Sequence, residues 1–122
     1  MGANGSSSNG STATEEGRRW KTVATLPNGY KVIELKDRNA QHKAPEESHS
    51  PNSVYVMFNK DGNGLKSISV YGDDCKKQFE IHTQPHKNLG EHYHKWENGK
   101  AGPAEPLTDK MKSILDEVKS LI

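Results

Sequence analysis

Apolar residues occur in short runs from residue 20 onward, and polar turn sequences separate these runs. Residues 20–26 and 30–36 are two β-branched, aromatic-containing runs, and Pro27-Asn28-Gly29 between them predicts a β-hairpin. Residues 37–52 are polar and contain two prolines, so we predict a long loop after the hairpin.

The centre of the chain has the pattern of a three-stranded meander. Residues 53–58 are apolar on both faces of a strand, which is typical of a central strand that is covered on both sides. Residues 65–71 and 77–83 follow after turn sequences, and inward apolar residues alternate there with polar ones. Residues 91–96 predict one more strand, and a linker containing Gly and Pro leads to the last element.

The C-terminal residues have the periodicity of an amphipathic helix. Thr108 is a suitable N-cap, and Asp109 follows where a carboxylate favours the helix dipole. We predict an α+β fold in which a twisted, mostly antiparallel sheet of about five to six strands packs against this helix. Six apolar residues form the stripe that would face the sheet: Met111, Ile114, Leu115, Val118, Leu121 and Ile122.

Composition limits the chain to one small domain. A length of 122 residues suits a single domain, and only 30% of the residues are hydrophobic. Residues 1–16 are rich in Gly, Ser and Asn and lack the basic start and apolar run of a signal peptide. We therefore predict a disordered leader or linker over residues 1–16 and a single domain over residues 17–122.

Charge and cysteine content narrow the classes of partner. The net charge of +1 argues against a polyanion-binding arm, and DNA is not an expected partner. No apolar stretch is long enough to span a membrane. The single cysteine, Cys75, excludes an intramolecular disulfide and a cysteine-rich zinc site, and it favours a reducing cytoplasm.

Histidines cluster in the last third of the chain, where lysines are also frequent. In an extended strand, His92 and His94 share a face with Trp96, and their Cα atoms are about 6.5–7 Å apart. Glu80 and His82 share a face of the preceding strand. If the two strands pair, these side chains converge on one surface of the sheet. Four of the six histidines belong to this part of the chain: His82, His86, His92 and His94.

Such a surface has the groups that metal-independent RNA cleavage needs. A base removes the proton of the ribose 2′-hydroxyl, an acid protonates the leaving 5′-oxygen, and a cation stabilises the phosphate. Histidine suits both proton transfers because it titrates near neutral pH. We predict His92 or His94 as the acid. Glu80 or His82 is the predicted base. The predicted substrate-binding residues are His86, Lys87, Lys95 and Trp96, the last by stacking on an unpaired base.

Two other interpretations of the histidines stay open. His-x-His with a third histidine can hold Zn²⁺ in an open catalytic arrangement. The donor spacing is loose, however, and no acid lies at a recurrent ligand offset, so we predict no metal and no cofactor. The histidines can also be solvated polar residues at a sheet edge. If Trp96 belongs to the core, His92 and His94 face inward and the convergent surface is lost.

Part of the chain resembles a known group of toxin domains. The shared layout is a strand, a turn, a strand ending near a histidine, a Pro-His loop, and a His-x-His strand that ends in an aromatic residue. It is similar to the C-terminal toxin domains of bacterial polymorphic toxins and phage minor head proteins, which are grouped with the nucleases of the barnase, EndoU, colicin-tRNase and RelE fold. The residues that carry the resemblance are 65–71, 79–82, 85–87, 91–96 and 98–99.

The resemblance covers about half of the chain and implies both an activity and a partner. The implied activity is endoribonuclease cleavage of tRNA or other cellular RNA in the cytoplasm, and the implied partner is a neutralising immunity protein. Delivery as part of a larger phage or secreted toxin protein is also implied. The alternative is a non-catalytic structural or interaction module of phage or mobile-element origin, in which the long loop or the helix contacts a partner.

Overall fold

The computed structural model describes residues 19–37, 41–84 and 90–122. These residues form a seven-stranded sheet and one helix, so the fold is α+β as predicted, with one strand more than expected. The predicted leader, residues 1–16, lies outside the described residues. The elements are β1 (Trp20–Thr25), β2 (Lys31–Leu35), β3 (Val54–Phe58), β4 (Leu65–Tyr71), β5 (Lys77–His82), β6 (His92–Glu97), β7 (Lys100–Pro106) and α1 (Asp109–Leu121).

The additional strand is β7, where the sequence predicted a linker. Its sequence, KAGPAEP, holds a glycine and two prolines and no β-branched residue, which is unusual for a strand. β7 lies at the edge of the sheet and pairs with β6 alone. An edge strand tolerates proline because some of its N–H groups have no partner in the ladder. Edge position therefore explains why propensity did not reveal this strand.

The strands lie in the sheet in their chain order, and every neighbouring pair is antiparallel except β2 and β3. A parallel pair needs a long crossover, which the polar segment between β2 and β3 provides. Within this segment Ala44 and Pro45 are buried. Nε1 of Trp20 donates a hydrogen bond to the carbonyl of Lys43 at 2.9 Å, and the hydroxyl of Tyr71 donates to the carbonyl of Pro45 at 2.5 Å. The described part of the segment, residues 41–53, therefore packs on one face of the sheet.

Helix α1 covers the other face of the sheet. It begins at the predicted N-cap, since the hydroxyl of Thr108 accepts a hydrogen bond from the backbone N–H of Met111 at 3.2 Å. The predicted apolar stripe faces the sheet, except that Ile122 is 50% exposed. No helix in the described part of the chain is long and apolar enough to cross a membrane. The buried residues between α1 and the sheet are Leu26, Val56, Ile68, Ile81, Met111, Leu115 and Val118.

The sheet face opposite α1 has an apolar part and a polar part. The polar part lies along β4, β5 and β6, where strand alternation puts serine, glutamate and histidine on this face. It contains the predicted catalytic residues. The apolar part lies toward β1 and packs with the crossover segment, and its buried residues are Trp20, Ile33, Leu35, Ala44, Tyr55, Met57 and Tyr71.

Candidate active site

Strand pairing brings the predicted catalytic residues together on the face opposite α1. The register of β5 and β6 sets His82 opposite His92 and Glu80 opposite His94. On the other side of β5, Ser69 of β4 lies opposite Glu80. The apolar residues that alternate with them in the same strands pack toward α1. All four predicted catalytic side chains therefore lie on one face of two neighbouring strands, β5 and β6, and Ser69 of β4 lies beside them.

Glu80 is the main hydrogen-bond acceptor of this polar surface, although it is only 7% exposed. Its Oε2 accepts hydrogen bonds from Nζ of Lys77 at 2.7 Å and from Oγ of Ser69 at 2.6 Å. Its Oε1 accepts a hydrogen bond from Nε2 of His82 at 2.7 Å. Burial raises the pKa of Glu80, but the three donors, with His82 first, outweigh burial and lower that pKa to about 2. Glu80 is therefore a carboxylate at neutral pH.

The rings of His82, His92 and His94 lie side by side and are named here the histidine cluster. Their centroids are 5.3 Å apart for His82 and His92, 5.0 Å for His82 and His94, and 5.1 Å for His92 and His94. One ring nitrogen from each residue lies within 4.8 Å of the other two. His92 is buried, with 3% exposure, and the other two residues are half-buried. These are not freely solvated surface histidines.

The hydrogen-bond acceptors beside the three histidine rings determine which nitrogen of each ring carries a hydrogen. Nδ1 of His92 lies 3.0 Å from the carbonyl of Gly90, and Nδ1 of His94 lies 2.8 Å from the carbonyl of Gly102. A carbonyl oxygen only accepts, so both Nδ1 atoms are donors. Nε2 of His82 donates to the ionised carboxylate in the same way. When the rings are neutral, the unprotonated nitrogens are Nδ1 of His82 and Nε2 of His92 and His94.

Lys77 is a buried member of the site that the sequence pattern did not assign. Its side chain is 3% exposed, and Nζ lies 4.2 Å from the ring centroid of Trp96 as well as 2.7 Å from Glu80. Simple alternation would put Lys77 on the face of Phe79, toward α1. A register shift where Tyr71 pairs with Lys77 breaks the alternation, and the lysine instead contacts the carboxylate. The pattern of polar and apolar residues alone contains no sign of this shift.

The predicted substrate-binding residues are only partly brought to the histidine cluster. Trp96 lies on the same face as the cluster, and its Nε1 is buried and has no hydrogen-bond partner among the described residues. Lys95 projects from the opposite face of β6, where it is exposed. Its Nζ lies 3.6 Å from Oε1 of Glu97. His86 and Lys87 lie outside the described residues.

Lys66 is a second cation near the carboxylate, and the sequence did not single it out. Its Nζ donates a hydrogen bond to the backbone carbonyl of His42 in the crossover segment. Burial lowers the pKa of Lys66, and the charge of Glu80 partly offsets this effect. The carboxylate therefore lies near two lysines, one in contact and one at longer range.

A cleft of about 520 Å³ lies beside β2 and β3 and does not include the histidine cluster. Among the described residues that line it, the carboxylates of Glu34 and Asp61 are exposed. The histidine of its lining, His42, donates a hydrogen bond from Nε2 to the carbonyl of Phe58 at 2.7 Å. The histidine cluster, whose ionisable groups contact one another, is therefore the better candidate site for proton transfer.

No family model, curated protein or solved structure matches the chain. The resemblance to polymorphic-toxin nucleases therefore stays a prediction, and the functional inference depends on the geometry of the polar surface.

Proposed function

We propose that this domain is a metal-independent endoribonuclease that cleaves tRNA or other cellular RNA. One observation carries the proposal: an ionised carboxylate contacts an imidazole, and two further imidazoles lie beside that pair. Glu80 accepts the hydrogen bond from His82 at 2.7 Å, and the ring centroids of His92 and His94 lie 5.3 and 5.0 Å from that of His82. A base and an acid of this kind support cleavage of RNA without a metal ion.

In the proposed reaction His82 is the base. Its Nδ1 takes the proton of the ribose 2′-hydroxyl while the 2′-oxygen attacks phosphorus. The bond between phosphorus and the 5′-oxygen breaks, and a protonated His92 or His94 gives its proton to that oxygen. The products are a 2′,3′-cyclic phosphate and a free 5′-hydroxyl.

Glu80 is better suited to orient His82 than to take the proton itself. Its pKa is about 2, so its carboxylate is a weak base at neutral pH. A buried carboxylate that accepts a hydrogen bond from an imidazole holds the ring in one tautomer and stabilises the imidazolium that forms. This division of roles narrows the earlier prediction, in which either residue could be the base.

Stabilisation of the negative charge on the phosphate is assigned to Lys87, one of the two lysines, with Lys95, that the sequence predicts to bind the substrate. Lys77 is held by Glu80, and Lys95 projects from the other face of β6. An immunity protein as partner, action in the cytoplasm, and delivery within a larger phage or secreted toxin protein are further parts of the proposal. They rest on the resemblance alone.

The test is cleavage of total tRNA and of a mixed-sequence RNA in excess EDTA. We expect the parent chain to leave 2′,3′-cyclic phosphate ends and to leave a 2′-deoxy analogue uncut. His82→Gln and His94→Gln should each lower the rate by about 10²–10⁴-fold, as loss of a general acid or base does. His49→Gln is the matched control, since His49 is exposed in the crossover segment, and this variant should keep the parent rate.

Circular dichroism of every variant shows whether it is folded, so that loss of activity can be assigned to chemistry. Equal cleavage by the parent and by the His82→Gln/His94→Gln double variant would overturn the proposal. Absence of cleavage by the folded parent would favour the non-catalytic interaction module. Cleavage that requires an added metal ion would contradict metal independence.

A further inference from the structure

We infer that His82, His92 and His94 form a binding site for a divalent transition-metal ion of the Zn²⁺ class. One ring nitrogen from each residue lies within 4.8 Å of the other two. A tetrahedral zinc ion with Zn–N distances of about 2.0–2.1 Å holds its ligand nitrogens roughly 3.4 Å apart. Each ring therefore needs to move inward by at most about an ångström to hold such an ion.

The hydrogen bonds behind the rings favour this site, because each puts the ring hydrogen on one nitrogen and so makes the other nitrogen the candidate metal ligand. Nδ1 of His92 and Nδ1 of His94 donate to the carbonyls of Gly90 and Gly102. Nε2 of His82 donates to a carboxylate. Metal-ligating histidines typically donate their second N–H to a carbonyl or a carboxylate, which fixes the ring and increases the basicity of the ligand nitrogen. The histidine cluster has this arrangement for all three rings.

The chemistry of the donors determines the class of ion. Imidazole nitrogens suit Zn²⁺, Cu²⁺, Ni²⁺ and Co²⁺, whereas Mg²⁺ and Ca²⁺ prefer oxygen ligands. The nearby carboxylate of Glu80 already accepts hydrogen bonds from Ser69, Lys77 and His82, so the ligand set is three nitrogens. A three-histidine set leaves a fourth position for water or for an anion such as a phosphate oxygen.

One consequence rests on the proposed function: a bound ion would inhibit the ribonuclease. The ion and the proton-transfer reaction use the same three nitrogens, Nδ1 of His82 and Nε2 of His92 and His94. Occupied by Zn²⁺, these nitrogens can neither accept the proton of the 2′-hydroxyl nor deliver one to the 5′-oxygen. Zinc would therefore act as a reversible switch of the same site.

Binding is tested with the metal alone on the full chain. Co²⁺ titration should produce the visible absorption of a low-coordinate cobalt site, and Zn²⁺ should displace it with one-to-one stoichiometry. His82→Gln and His94→Gln, both at half-buried positions, should weaken metal binding by at least about 100-fold. Replacing a residue that only hydrogen-bonds a metal ligand typically weakens binding by about 10–100-fold, so a larger loss indicates a ligand. The control His49→Gln should bind as the parent does.

The outcomes separate the metal site from the proposed function. Zinc binding no tighter in the parent than in the folded His82→Gln/His94→Gln double variant would overturn the site, whatever the cleavage assay gives. Tight binding by a parent that cleaves no RNA would support the site and reject the ribonuclease. Cleavage in EDTA that zinc inhibits, and that further EDTA restores, would support both. Cleavage that zinc does not inhibit at saturation would overturn the switch.

Discussion

The ion pair between Lys77 and Glu80 lies within the polar surface, and we expect its disruption to destabilise the fold strongly. The two groups are 2.7 Å apart, and their side chains are 3% and 9% exposed. Lys77→Met keeps most of the side-chain volume but removes the ammonium. Breaking a buried pair by removing one partner costs about 3–5 kcal/mol, because the other charge stays buried without full compensation. We expect a loss near the lower end, since Ser69 and His82 still donate to Glu80.

Thermal unfolding followed by circular dichroism measures this loss. For a domain of this size, each kcal/mol moves Tm by about 4–8 °C, so Lys77→Met should lower Tm by about 12 °C or more. The matched control is Lys95→Met, which removes the lysine of the exposed pair with Glu97, where the side chains are 65% and 71% exposed and the charges 3.6 Å apart. Exposed pairs contribute about 0–1 kcal/mol, so this variant should unfold near the parent Tm.

A double variant tests whether the loss of stability comes from the charge of Glu80, which stays buried when Lys77 is replaced. Lys77→Met/Glu80→Gln removes both charges, so its loss of unfolding free energy should be smaller than the sum of the two single losses. The reasoning is refuted if Lys77→Met lowers Tm by no more than Lys95→Met does. It is also refuted if the two single losses simply add, because the pair would then be uncoupled.

Two further predictions concern pH and the helix. The pKa of Glu80 is lowered from 4.5 to about 2 in the folded chain, so its contribution to stability is present above pH 4.5 and is lost as the pH falls toward 2. Urea unfolding in EDTA measures this loss. Between pH 5 and pH 2, the unfolding free energy should fall more steeply with pH in the parent than in Glu80→Gln. An equal fall in the two proteins would contradict the assigned pKa. Thr108→Ala removes the N-cap of α1 and should lower the unfolding free energy by about 1 kcal/mol, whereas Ser113→Ala, exposed within the helix, should not.

Most of the fold follows from local patterns in the sequence. Strand alternation and glycine-containing turns predicted six strands close to their observed bounds, and apolar periodicity with an N-cap predicted α1. Two features did not follow, because tertiary position decides them. β7 forms from a Pro- and Gly-containing sequence that only an edge tolerates, and the parallel pairing of β2 and β3 depends on the crossover segment packing against the sheet.

Only the part of the candidate site that follows from the alternation of side chains along the strands could be predicted from the sequence. Alternation put Glu80 with His82, and His92 with His94, and pairing of two consecutive strands was enough to bring them together. The role of Lys77 could not be predicted, because it depends on one register shift that no residue type in the sequence indicates. The contacts that determine the tautomers of His92 and His94 could not be predicted either, since their acceptors are backbone carbonyls whose positions depend on the fold.

Burial distinguishes this polar surface from a merely solvated sheet face. The alternating pattern of β4 to β6 is typical of an antiparallel sheet with one face in water, yet Ser69 is 0% exposed and His92 only 3%. Buried polar groups cost free energy unless they are hydrogen-bonded, and here Glu80 and its three donors satisfy one another. Glu80 orients the ring of His82, and the carbonyls of Gly90 and Gly102 orient the rings of His92 and His94 before any ligand binds. That preorganisation is what proton transfer and metal binding both require, and solvated histidines on a sheet edge would lack it.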